Sequence, residues 1–255
     1  MIPKILYKYK TWGETHHDEI LTKQWLYYAS ASQFNDELDC HPVLEDPTLD
    51  DIYYYSQKQN PTFSPEEHQE YIRMQWQNYY NGAEYRRKRQ KEIDDRRYKM
   101  FGILCLTQRY NNEYLWWQYS KEHNGFCVEY DYEKLFNQLP IGGAGFVVYT
   151  ETPPSINLFR EKPEDMTNTF MRKISKYQRE EEYRRIVVSN HILSTKERNI
   201  SFSIDCIIKV YIDSLMNDSY KRKIYKIADN RFPIEELSIT IKDENDEAIV
   251  EHINI

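Results

Sequence analysis

Apolar and polar residues alternate along the segments at either end of this chain, whereas between about residues 46 and 100 the apolar positions fall at helical spacing. That change of period limits the fold more than any other feature. A segment that alternates can bury one face of a sheet, and one with apolar residues three and four apart can bury only a helical stripe. The chain therefore reads as one α+β domain over residues 1–255, a mostly antiparallel sheet with a helical insertion at about 46–100. Two starts mark the insertion, Asp46-Pro47 and Ser64-Pro65-Glu66-Glu67; each sets a capping residue before a proline at the first helical position, and the second completes a Ser-x-x-Glu capping box.

Outside the insertion the expected strands are 5–9, 25–28, 101–106, 126–130, 182–188, two within 202–212, 237–241 and 248–253. Helices are expected at 18–23, 113–122, 132–138, 164–179 and 218–229. Asn124-Gly125 supplies a left-handed stop for the second of these, with His123 beside it as a capping or dipole partner. The glycine-rich run at 141–145 lacks the spacing and helix-opening context of a dinucleotide loop and reads as a hairpin or loop.

Composition removes several classes. No run approaches a membrane span, and the N-terminus lacks the order of a signal peptide, so the chain is expected to be cytoplasmic and to have no membrane partner. Cys40, Cys105, Cys127 and Cys206 stand singly, without metal-ligand spacing, which argues against structural zinc and a disulfide scaffold; Cys105 and Cys127 lie in apolar runs and read as core. The 23 Tyr and 5 Trp against 7 Gly suggest aromatic walls with polar tips, suited to packing and to ring-shaped ligands alike. Eight basic and three acidic residues between positions 86 and 99 give a local balance of +5 within a net charge of −7. This basic helix is either a solvated face or a docking arm for an acidic partner or phosphate backbone.

The candidate functional residues cluster in a few segments. Glu180-x-Glu182-x-Arg184, if extended, places two carboxylates and a guanidinium on one face; the same pattern also suits a solvated edge strand with an ion pair. Phe34, Asn35, Asp36 and Asp39 read either as turn chemistry or as a ligand rim. Trp116 and Tyr119 share a helical face, for the core or for ring stacking. Tyr7 and Tyr9 face one side of the first strand and Lys8 the other, and Lys173 sits one helical turn before Tyr177, there to meet a phosphate or to solvate the helix.

Taken in order, Leu6-Tyr-Lys-Tyr9, Phe34-Asn-Asp-Glu-Leu-Asp39, Gly102-Ile-Leu-Cys-Leu-Thr107, Leu115-Trp-Trp-Gln-Tyr119, His123-Asn-Gly-Phe-Cys-Val-Glu-Tyr130 and Lys173-x-x-x-Tyr177-x-x-Glu180-x-Glu182-Tyr-Arg184 resemble a widespread bacterial family catalogued as domain of unknown function 2971. Glu37 replaces the family's usual proline, and Tyr177 and Tyr183 replace its usual tryptophans. At the level of layout the chain also resembles the mono-ADP-ribosyltransferases that modify nucleic acids. That second resemblance implies a split sheet, NAD as substrate, a toxin or phage-defence role, a nucleic-acid or protein acceptor, and an antitoxin or regulatory partner. It also implies catalysis by Glu182, or failing it Glu180, with Tyr7, Lys8, Tyr9, Phe34, Asn35, Asp36, Asp39, Trp116, Tyr119, Lys173 and Arg184 around the NAD.

Chemistry alone permits the same reading. Breaking an N-glycosidic bond to ribose creates an oxocarbenium-like centre that one fixed carboxylate can stabilise, and the cationic nicotinamide leaves without a general acid. Two other readings remain open. One is a metal-dependent nuclease with Asp36, Asp39, Glu180 and Glu182 around Mg²⁺, and the other is a non-catalytic binding module that uses helix 86–99.

Overall fold

Strand β1 (Ile5–Thr11) sends alternate side chains to opposite faces, Leu6 into one apolar cluster and Tyr7 and Tyr9 into another, and this alternation places it at the centre of the molecule. The computed structural model describes residues 2–34, 36, 38–160 and 162–253. Helix α1 (Glu19–Thr22) and strand β2 (Trp25–Tyr27) follow β1, then the 34–39 loop and the short strand β3 (Val43–Leu44). Three helices come next: α2 (Leu49–Gln59), α3 (Pro65–Asn81) and α4 (Ala83–Met100). The chain continues through β4 (Phe101–Thr107), α5 (Glu113–Tyr119), β5 (Gly125–Asp131) and α6 (Tyr132–Phe136). Then come β6 (Gly143–Phe146), β7 (Val148–Thr150), β8 (Ser155–Ile156), α7 (Pro163–Met171), β9 (Arg172–Ile174) and β10 (Glu182–Val188). Strands β11 (Asn199–Ser201) and β12 (Ile207–Asp213), helix α8 (Asp218–Ala228), β13 (Ile234–Lys242) and β14 (Glu247–His252) close it.

Eight strands form one mixed sheet in the order β14-β13-β12-β5-β1-β4-β10-β6, antiparallel at every pairing except β12 with β13. Helices α1, α6 and α8 cover one face through Ile20, Leu21, Leu135 and Ile224, packed on Leu6, Val128 and Ile212. Helix α5 covers part of the other with Leu115 and Trp116 on Tyr9, Cys127 and Tyr211. No helix among the described residues is long and apolar enough to cross a membrane.

The sheet parts at its centre. Strand β1 pairs with β5 along seven residues but with β4 at one position, Tyr7 opposite Thr107. Continuing that register would set Tyr9 against Cys105 and Thr11 against Ile103. Instead Ile103 exchanges both of its backbone hydrogen bonds with Ala29, at 2.9 Å each. On the open edge the Lys8 ammonium donates to the Cys105 carbonyl at 2.6 Å, and the Thr11 N–H donates to His17 Nδ1 at 3.3 Å. Buried backbone groups need partners, and here side chains replace the missing ladder.

Between Leu49 and Met100 the described elements are all helices. Ser64 caps α3 with the expected box to Glu67 and Pro65 in the first turn, whereas α2 starts two residues later than Asp46-Pro47 suggests, because Thr48 forms its own capping box with Asp51. In α4 the Arg87, Lys88, Arg89 and Lys91 side chains are exposed; those of Arg96 and Arg97 lie outside the described residues.

Three expectations need correction. The helix expected over 164–179 ends at Met171; Arg172–Ile174 is instead a strand parallel to β7, and a 3-10 turn covers Ser175–Glu180. Burial of Lys173 among carboxylates outweighs the helical propensity of the segment. Part of the 141–145 run is no loop, since Gly143–Phe146 pairs as the edge strand of β10.

The third concerns the end of α5. It stops at Tyr119, and Glu122 and His123, not Asn124, take left-handed backbone angles, with φ of 56° and 59°. His123 Nδ1 lies 3.0 Å from Asp213 Oδ2, so it meets an acid from β12 rather than the helix end. Gly125 is needed for a close approach: a Cβ there would lie 2.7 Å from Ser120 Cα, which is backbone and has little room to shift. Gly125→Ala should cost about 1–3 kcal/mol by overpacking. Urea melts would show it as a lower midpoint, and an unchanged midpoint would mean that the Ser120 turn yields.

Candidate functional site

A cavity of about 770 Å³ opens where β1 and β4 part. Side chains of both parities of β1 line it, Tyr7 and Tyr9 as well as Lys8 and Lys10, because the open edge exposes both faces of the strand. Cys105 and Thr107 of β4 form the opposite wall, Tyr114, Trp117 and Tyr119 of α5 form an aromatic side, and Phe34, Asp36 and Asp39 contribute from the loop. Lys173, Tyr177, Glu180 and Glu182 complete one end. Volumes of this order are usual for small-molecule and nucleotide sites.

At that end three carboxylates surround two cations. Arg184 has no exposed surface; its Nη2 donates to Asp39 Oδ2 at 2.7 Å and to Glu182 Oε2 at 2.8 Å, and its Nη1 donates to the Phe170 carbonyl at 2.8 Å. Lys173 Nζ lies 2.7 Å from Glu180 Oε2, 3.2 Å from Asp39 Oδ2 and 3.7 Å from Glu182 Oε2. Removing such charges from water is costly unless each meets an opposite partner, and here every one of them does.

The two glutamates respond in opposite ways. Burial pushes Glu180 up to about 7; Lys173 pulls it back in part, and the charge of Glu182 adds to the rise. Burial also acts to raise Glu182, but Arg184 and Lys173 outweigh it and hold that carboxyl well below the usual range. Lys173 stays charged despite its burial because Glu182, Asp39 and Glu180 surround it. Near neutral pH the site thus contains one permanently ionised glutamate and one that exchanges its proton.

Local backbone fixes both. Glu182 opens β10 opposite Thr107, and its N–H donates to the Tyr149 hydroxyl at 3.0 Å. Thr107 Oγ1 lies 3.0 Å from the Glu180 carbonyl and 3.2 Å from that of Glu181. The Asn112 amide donates to the Arg179 carbonyl at 2.7 Å. Strand β10 lies between β4 and β6, so the pattern Glu180-x-Glu182-x-Arg184 is not that of a solvated edge strand.

Among the sequence candidates Tyr7, Lys8, Tyr9, Phe34, Asp36, Asp39, Tyr119, Lys173, Glu180 and Glu182 meet in the one cavity. Trp116 and Arg184 do not line it. Trp116 is buried behind the wall, edge-on to Tyr9 at 5.2 Å with its Nε1 on the Tyr110 carbonyl, and Arg184 lies beneath Glu182. Asn35 lies outside the described residues. Both readings of the loop coexist: Asp36 Oδ1 accepts from the Leu38 N–H in a turn, while Asp36 Oδ2 is buried with no donor among the described residues. Lys173 is not on a helix and packs its ammonium 4.6 Å from the Tyr177 ring.

Sequence reasoning missed Tyr149, Lys10 and His17. Tyr149 carries no local signal for its bond to Glu182, whereas Lys10 and His17 could have been flagged as polar residues beside a central strand. Cys105, assigned to the core, does face the cavity, but burial raises its thiol and leaves it a poor nucleophile. Of the four carboxylates that a nuclease would give to Mg²⁺, Asp39, Glu180 and Glu182 are turned onto Lys173 and Arg184, whereas Asp36 is not. Among the described residues no group of three or more His, Cys, Asp or Glu could hold a metal ion.

The sequence profile of a family described as "Protein of unknown function (DUF2971)" matches residues 115–248. No curated protein and no solved structure matches the chain.

The raised value of Glu180 makes a stability prediction. A carboxyl whose folded pKa is raised adds stability below its ordinary value of 4.5 and loses it as pH rises through about 7. Wild-type protein should therefore lose urea resistance relative to Glu180→Gln between those two pH values. Parallel pH profiles for the two proteins would place the Glu180 proton elsewhere.

Proposed function

Because the chain belongs to the DUF2971 family, whose description assigns no reaction, we propose from the site itself that it is an ADP-ribosyltransferase-like enzyme that consumes NAD. The observation that carries the reading is the pair of glutamates with opposed pKa shifts in one cleft. Environments that pull two neighbouring carboxyls apart assign them different tasks.

Glu182 is the fixed anion. When the bond between the ribose C1′ and the nicotinamide nitrogen breaks, its electron pair leaves with nicotinamide, which becomes neutral, and positive charge develops on the ribose. A carboxylate held ionised by Arg184 and Lys173 is already oriented for that charge and needs no reorganisation. Part of its charge is balanced by Arg184, so what it offers the ribose is a preset field as well as a hydrogen-bond acceptor. Glu180, with a value near 7, suits a general base: the acceptor's lone pair attacks C1′ and its proton passes to the Glu180 carboxylate. Tyr119 and Trp117, both half-buried at the cleft wall, provide ring faces for the nicotinamide or adenine, with Tyr7 and Tyr9 packed behind them.

The split sheet also supports the reading. A cleft between strands β1 and β4 lets a long ligand lie along the open edge, with the carboxylates at one end and the lysines of β1 farther along. A nuclease reading gains no comparable support, since Asp39, Glu180 and Glu182, three of its four carboxylates, already pair with Lys173 and Arg184. The exposed basic residues of α4 are available to an acidic acceptor such as a nucleic acid.

Two substitutions separate the roles. Glu182→Gln should lower both transfer and NAD hydrolysis by at least roughly 10²-fold, on the scale of losing one electrostatic stabiliser, with NAD binding retained. Glu180→Gln should impair transfer to an acceptor and remove the kinetic pKa near 7 while sparing hydrolysis of NAD by water. Nicotinamide release, followed with and without acceptor across pH, measures both. Unchanged release in Glu182→Gln would sink the reading.

A further inference from the structure

We infer that Lys8, Lys10 and His17 form an anion subsite in the cleft, built for a phosphoryl or pyrophosphoryl group. Lys8 and Lys10 lie two residues apart on β1 and so project from the same face, and all three side chains line the cavity. They are close enough for their charges to act on one another: Lys8 depresses Lys10, and Lys10 and Lys8 both depress His17.

What marks the cluster is the missing counter-charge. Among the described residues Lys10 has no hydrogen bond and no ion pair, although it is half-buried. Among the same residues Lys8 meets the Cys105 carbonyl and no carboxylate. Glu14 lines the same cavity but pairs with neither lysine, and Glu19, the nearest acid of α1, is taken by His16 and Lys23. By contrast every cation at the far end of the cleft has a carboxylate. Burial, with Lys8 in second place, lowers Lys10 to about 7, and no carboxylate among the described residues pairs with it to offset that cost. An anion between the lysines would offset it.

His17 is neutral under the same influences, lowered to about 4 by burial and then by the two lysines. Its Nδ1 accepts the Thr11 N–H, so its proton is on Nε2, and that N–H is a donor without a partner among the described residues. Two ammonium groups and one neutral N–H match the oxygens of a phosphoryl group. That the natural occupant is the pyrophosphate bridge of a dinucleotide rests on the transferase reading; the anion subsite itself does not.

The test uses inorganic pyrophosphate, titrated calorimetrically into the wild-type chain and into Lys10→Met at pH 6.5, with melting temperatures of both proteins measured without ligand. Methionine keeps the unbranched shape of the lysine, one atom shorter, and removes its charge. The expected result is saturable binding to wild type, a loss of at least about tenfold in the variant, and a higher Tm for the unliganded variant, because an uncompensated charge has gone. A lower Tm would mean that Lys10 supports the fold, and equal affinity or no saturable binding in the millimolar range would mean that the cluster is not an anion site. Each of these overturns the proposal. Failure of the glutamate variants to change NAD turnover would overturn the transferase reading and leave this titration unaffected.

Discussion

A guanidinium with no contact with water, that of Arg184, sets the terms for one end of the molecule. An arginine cannot shed its charge, so burying it obliges the fold to bring carboxylates to it. Asp39 comes from the loop after β2, Glu182 from the strand that also carries Arg184, and the Phe170 carbonyl from the end of α7. The 34–39 loop is thereby held against two segments more than a hundred residues later in the chain. Two carboxylates around one guanidinium leave a negative excess, and Lys173 answers it. Lys173 in turn reaches Glu180, which is the least well compensated of the group and keeps its proton to near neutral pH. The raised proton affinity of Glu180 is therefore the remainder left after a structural charge has been balanced.

The parting of β1 from β4 is the complementary constraint. A sheet that stops pairing at its centre loses ladder hydrogen bonds where they are most protected, and each orphaned group has to find a partner. Lys8, His17 and Ala29 supply three of those partners. The gain is a concave space bounded by rigid strands, which holds functional side chains more firmly than loops could. Both ends of the cleft are polar for different reasons. One carries charges matched within the protein, and the other carries cations that the protein leaves unmatched.

The strands were legible because alternation is a property of single segments. Residues 182–188 and 5–9 alternate, 126–130 form a short apolar run, and all three pair as strands. The Ser64 capping box was equally local, and it caps α3 as written. What failed was whatever tertiary charge decided. The run from 164 to 179 has the composition of a helix, yet Lys173 is extended because its ammonium belongs among three carboxylates. Similarly, Gly143–Phe146 has one strand-forming residue, Phe146, after Gly-Ala-Gly, and pairs because β10 presents an edge to it. Within the site, the acids of β10 and of the 34–39 loop could be picked out by type and spacing. Their partnership with Lys173 and Arg184 could not, since no local rule says which charges will be buried together.

One residue accounts for the difference between Glu180 and Glu182. In an uninterrupted strand, residues two apart point the same way into the same surroundings, and the two carboxyls would have competed for the same cations. Glu181, between them, adopts left-handed angles with φ 47° and ψ 51°, which breaks the alternation before β10 begins. That conformation costs a non-glycine residue about 1–2 kcal/mol, so something must hold it. Arg109 pairs with the Glu181 side chain at 2.5 Å, and Thr107 Oγ1 donates to the carbonyls of Glu180 and Glu181. Strain retained at such a place is a reason to look for chemistry there. In this chain it turns one carboxyl onto Lys173 and leaves the other on Arg184, so that a repeat of two identical side chains becomes one carboxyl held low and one pushed up toward neutral pH.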